Sequence, residues 1–138
     1  MIMGDVAGER GAALLSAVDL NGPAEVVMLL KRTGVVLGGW TRNDVPQNVI
    51  SVMAATMIGS VATLLEALGG RSPPSIDIEA GEHRMHVSRA DPQSVIVLVA
   101  PLAVSGQALR EESVRLASVL SRPPEDRIRE QPTVATRT

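Results

Sequence analysis

The sequence has no cysteine, no phenylalanine, no tyrosine and a single tryptophan, Trp40. Without cysteine there is neither a disulfide nor a thiolate metal site. Without a set of aromatic rings there is no stacking platform for single-stranded nucleic acid, and the core must be built from Val, Leu, Ile, Met and Ala. A formal net charge of −2 over 138 residues leaves no basic footprint for a phosphate backbone. The opening Met1-Ile2-Met3-Gly4-Asp5 carries no basic segment followed by an apolar run, so no secretory signal is expected. These absences set the expectation of a cytoplasmic protein with no nucleic-acid partner. At this length the chain makes one domain with enough material for a core.

One further absence is local. Between Asp44 and Glu66 there is no charged side chain. The stretch reads as one long helix. Asp44 is placed to cap it, Pro46 falls in the first turn, and Gln47 follows Asp44 at capping-box spacing. Gly69-Gly70 after Leu68, then Pro73-Pro74, mark its end. At about 100° per residue, Ile50, Met53, Met57, Ile58, Val61, Leu64, Leu65 and Leu68 gather on one side, which should lie on a sheet. Asn48, Ser51, Ala55, Gly59, Ala62 and Thr63 form a second, small and weakly polar side. A solvent-facing helix usually shows Lys and Glu, so this side also calls for cover. Three readings fit: a membrane span, a core helix of a monomer, and a helix shared between a sheet and a second subunit. A span needs roughly 20 mostly apolar residues. Here Asn48, Ser51, Thr56, Ser60 and Thr63 dilute the run, and the flanks lack a Lys/Arg bias. The shared helix is preferred.

The rest of the chain is expected to fold around it. Residues 1–7 are read as a flexible start and 9–20, with Ala12, Ala13, Leu14, Leu15, Ala17, Val18 and Leu20, as a short helix with one apolar side, ended by Asn21-Gly22-Pro23. Glu25 to Lys31 is too uniformly apolar for an edge strand. Arg32-Thr33-Gly34 turns the chain, and Val35 to Trp40 returns antiparallel. After the proline break, Ile76 and Ile78 alternate with Asp77 and Glu79, as in a strand with one wet face. A tight turn at Ala80-Gly81 would pair Ile76 with Met85 and Asp77 with Arg84, each such pair adding about 0.2–1 kcal/mol. Ser94 to Ala100 is the most β-branched run and should be central. A helix from Ser105 to Leu120 closes the domain, with Leu109, Leu116, Val119 and Leu120 inward. Residues 122–138 are polar and Pro-containing and are expected to form a disordered tail. The order α-β-β-α-β-β-β-α describes an α+β domain with one five-stranded antiparallel sheet flanked by helices.

Signatures of chemistry are few. His83 and His86, three apart on a strand, point to opposite faces and do not converge on a metal. Gly34-x-x-x-Gly38-Gly39 lacks the following Lys-Ser/Thr of a phosphate loop. Asp77 and Glu79 share a face that reads as solvated, with Arg84 across the hairpin. No nucleophile motif and no histidine with a triad partner is apparent. Arg42 reads as an exposed loop arginine and not as an arginine finger. No enzyme is expected, and no cofactor or metal; a binding or scaffold module is the better class.

The element order, the Arg32-Thr33-Gly34-Val35-Val36 hairpin, the small-residue helix Val49 to Leu68 and the Ile76 to Ala100 meander running into Leu109 together resemble the Roadblock/dynein light chain family, in particular its prokaryotic members of the MglB type. The resemblance covers residues 8–121, the expected domain, and implies a roadblock/profilin-like fold. It departs from the family pattern in the first hairpin, where the turn is Arg32-Thr33-Gly34 and the next strand ends in Gly38-Gly39-Trp40. It implies a homodimer in which the long helices pack together and the third strands pair across a two-fold axis. Ser51, Ala55, Gly59, Ala62, Thr63, Ile76 and Ile78 would then form the contact. It also implies a Ras-like small GTPase as partner, regulated by positioning of its own switch regions and, in some members, by a GTPase-activating component. A purely structural dimerisation or adaptor module in motor or signalling complexes is the alternative. A small-molecule sensor ranks last, because the aliphatic side chains suffice to fill the space beside the helices.

Overall fold

The computed structural model describes residues 2–31, 33, 35–43, 46–70 and 75–121. Three helices and five strands follow in the order α1 (Ile2–Ala17), β1 (Val26–Lys31), β2 (Val36–Thr41), α2 (Gln47–Ala67), β3 (Ser75–Ala80), β4 (His83–Asp91), β5 (Ser94–Pro101) and α3 (Gly106–Ser121). The strands form one antiparallel sheet in the spatial order β2-β1-β5-β4-β3. The expected fold class is therefore the observed one. Strands β1 and β5 lie inside the sheet, as their unbroken apolar runs require, and both are buried on both faces. Alternation divides their side chains between two cores. Val27, Leu29, Ile96, Leu98 and Ala100 pack under α1 and α3 through Leu14, Leu109, Leu116 and Leu120. Val26, Met28, Leu30, Val87, Val95 and Val97 face the other way, toward Ala54 of α2.

Several element ends differ from the expectation. Helix α1 begins at Ile2 and takes in residues 2–7, and it stops at Ala17. The carbonyl of Pro46 accepts the N–H of Ile50, so this proline precedes the first turn of α2. Asp44, Arg32, Gly34 and the tail from Arg122 lie outside the described residues. Gly69, at φ 82°, ends α2 in the left-handed conformation that glycine adopts freely, and its N–H returns to Glu66 O at 3.1 Å. Ser105 caps α3, its hydroxyl accepting the N–H of Ala108 at 3.0 Å.

The β3–β4 hairpin corrects the expected register. Its two turn residues are Gly81 and Glu82, with positive φ at Gly81 alone. This is the type II′ arrangement, which puts glycine first. The pairs are consequently Ile78 with Met85, Glu79 with Arg84 and Asp77 with His86. The slip is two residues, so each side chain keeps its expected face. Ile76 and Ile78 stay on the α2 side.

Helix α1 meets β2 without intervening side chains. A Cβ on Gly11 would stand 2.1 Å from Leu37 O, and one on Gly38 would stand 2.9 Å from the Gly11 Cα. Leu37 is the extra residue of a bulge, since Leu29 pairs with Gly38 and Leu30 with Val36. Gly38 is a seat for the helix. An alanine in place of a helix glycine normally gains about 1 kcal/mol. Gly11→Ala is expected to lose about 1–3 kcal/mol, the range for overpacking. Urea unfolding will decide it: a midpoint equal to or above that of the parent would mean that α1 does not sit this closely.

Candidate functional site

Among the described residues, helix α2 touches the sheet through Ala54 and Ile50. Ala54 is fully buried, and Ile50 packs against the same core. A small residue at the closest point lets the helix axis approach the strands. The face turned away is open. Val49 is 49% exposed, Val52 62% and Met53 53%. Met53, expected on the sheet, thus lies outside it; it sits at the margin of the bulky side, where a small rotation of the helix decides its fate. Leu68, also expected inward, is 75% exposed just past the last helical residue. Farther along the same side, Ala55, Thr56, Gly59, Ser60, Thr63 and Ala67 line a shallow, open furrow. No atom lies within 4 Å of a Cβ built on Gly59. The side chains of Ser51, Ile58, Ala62, Val61, Leu64 and Leu65 are not among those described.

Edge strand β3 presents apolar side chains on the same side of the sheet as α2. Strand β3 is an edge strand, paired on one side with β4. Its Ile76 and Ile78 are partly buried, as is Met85 opposite Ile78. Among the described residues, the open face of α2 and Ile76 and Ile78 of the edge strand carry no charge and lie on the same side of the sheet. Of the seven residues expected in a subunit contact, the structure brings Ala55, Gly59 and Thr63 onto the open helix face and Ile76 and Ile78 onto the edge strand.

The opposite face of β4 is less wet than its sequence implies, because α3 lies on it. His86 is 1% exposed, and its Nδ1 lies 2.5 Å from Asp77 Oδ1. Ser88 and Ser113 hydroxyls are hydrogen-bonded to each other. Arg84 donates from Nε to Val104 O at 3.0 Å and from Nη1 to Glu79 at 2.9 Å. Asp77 therefore answers to His86 and not to Arg84, and His86 does have a carboxylate partner. The pair ties edge strand β3 to β4; an imidazole so enclosed cannot reach a substrate. Nothing in the sequence marked this contact, since it depends on the two-residue shift of the hairpin. Exposed His83 points the other way, its Nε2 3.8 Å from Glu25 Oε1, a buried oxygen without a hydrogen-bond partner. Among the described residues no group of three or more His, Cys, Asp or Glu converges as metal ligands. The guanidinium of Arg42 is engaged within the chain: Nη2 donates to Leu20 O at 3.1 Å and Gly22 O at 2.8 Å, and the group stacks 5.6 Å from the Trp40 ring centre.

Polar contacts of two arginines tie α3 to α1 and α1 to the sheet. Arg115 bonds Glu112 at 2.5 Å and the carbonyl of Ala17 at 2.8 Å, joining α3 to the end of α1. The hydrogen bonds that Arg115 donates to the Glu112 carboxylate raise the Arg115 pKa. Arg10 of α1 pairs with Asp91 and reaches Ser94 Oγ at 3.2 Å, at the β4–β5 turn. Burial pushes the Asp91 carboxyl up, but the Gln93 N–H, the Ser94 hydroxyl and the Arg10 guanidinium outweigh it, and the net shift is downward.

No protein-family model matches the chain, and no curated protein does. Solved structures do. The chain is similar to the gliding protein MglB of Thermus thermophilus, with TM-score 0.70 at 20% identity over 84% of this chain and 89% of that one. It is similar to an MglB with tetrameric arrangement, with TM-score 0.72 at 20% identity over 88% and 92%. The Roadblock/LC7 domain of Streptomyces avermitilis superposes with TM-score 0.65 at 15% identity over 80% and 90%. The chain thus has the roadblock fold. Among the described residues no helix is long and apolar enough to cross a membrane.

The Asp91 shift has a pH signature. A carboxyl held below its unfolded value of about 3.9 contributes stability above that pH, and the contribution fades as pH falls through the lower, folded value. Arg10→Met is expected to destabilise the protein near neutral pH. Its deficit in thermal midpoint should narrow below about pH 4, where the unfolded carboxyl gains its proton. A deficit constant from pH 7 to pH 2 would show that Arg10 acts through packing alone.

Proposed function

We propose that this chain is a non-enzymatic, homodimeric regulator or scaffold that binds a Ras-like small GTPase in the cytoplasm, acting by contact and without bond-making. The observation that carries the self-association is the uncharged open face of α2 beside edge strand β3. Val49, Val52 and Met53 are exposed there, followed by a furrow of small residues. Isolated exposed apolar residues are ordinary, but a continuous strip with a free strand edge beside it is the signature of an interface. A two-fold contact uses the same patch on both subunits. The strip is suited to that. Laid antiparallel about the middle of the helix, α2 puts Val49 opposite Ala67, Met53 opposite Thr63 and Thr56 opposite Ser60. Large meets small, so the bulky first half of one helix fills the furrow in the second half of its twin. A parallel pairing would set Met53 against Met53 and leave the furrow empty. Pairing of β3 with its counterpart would satisfy the free edge and join the two sheets, with Ile76 and Ile78 beneath the helix pair.

The GTPase reading rests on the roadblock fold and on the resemblance to the prokaryotic members that regulate such enzymes. Co-purification of the chain with a nucleotide-loaded Ras-like GTPase of the same organism is the direct test. A dimer that retains none of them would remove the regulator reading and leave the adaptor.

Two variants examine the contact. Gly59→Leu enters open space in one subunit, so the fold should hold. In the dimer it should overpack at a cost of about 1–3 kcal/mol, shifting sedimentation toward monomer at micromolar concentration. An unchanged dimer would mean that another face is used. Met53→Thr and Thr63→Met should each weaken association and the double variant should recover it, with a coupling of about 0.5–3 kcal/mol. Simple additivity would exclude this antiparallel register.

A further inference from the structure

We draw no further inference here: the strongest candidate, the open furrow of small residues along α2 between Ala55 and Ala67, belongs to the self-association surface already proposed, and nothing in the structure shows any other partner that covers it.

Discussion

Strands β1 and β5 carry apolar side chains on both faces, so neither side of the sheet can be left to water. At about 25 cal/mol per Å² of apolar surface removed from water, this burial is the dominant favourable term. It fixes the layer order. Helices α1 and α3 share one face between them, and α2 must serve the other alone. A single helix covers a strip roughly 10 Å wide, which is less than five strands spaced about 4.8 Å apart. The partly buried Met85, Val99, Ile76 and Ile78 are what a lone helix leaves over.

The two faces are also held differently. On the α1/α3 side, polar bridges join elements: Arg10 with Asp91, Arg115 with the carbonyl of Ala17, Arg84 with Val104, and Ser88 with Ser113. These contacts are directional and fix orientation more than they add stability. On the α2 side the residues between Asp44 and Glu66 have no charge with which to make such bridges. Among the described residues, the helix meets the sheet by apolar packing at Ala54 and Ile50. A second apolar surface can meet this side without stripping water from an ion.

The layout of elements was legible because it follows from apolar periodicity. The continuous runs at Val26–Leu30 and Val95–Val99 announced inner strands, and alternation at Ile76–Glu79 announced a strand with unlike faces. What escaped was set by atoms rather than by pattern. Turn sequences around Gly81 allow two placements, and only the backbone conformation selects one. Glu112 and Ser113 lie outside the apolar stripe of Leu109, Leu116, Val119 and Leu120, yet both are buried. Ala54 is fully buried against the sheet although its side chain is too small to have drawn attention. Of the surface on α2, Ala55, Gly59 and Thr63 were legible as a small-residue row. The apolar first half was not, because Val49, Val52 and Met53 look like core residues until the helix rotation is known.

The crossing of α1 and β2 has a mechanical side. Elsewhere in the molecule a shift of half an ångström can be taken up by side chains changing rotamer. Between Gly11 and Gly38 no such slack exists, because main chain rests on main chain. Helix and strand there travel as one rigid piece, hinged where Leu37 bulges from the ladder. A displacement of this margin of the sheet must therefore carry α1 with it, and α1 is tied in turn to the β4–β5 turn by Arg10 and to α3 by the hydrogen bond from Arg115 to Ala17 O.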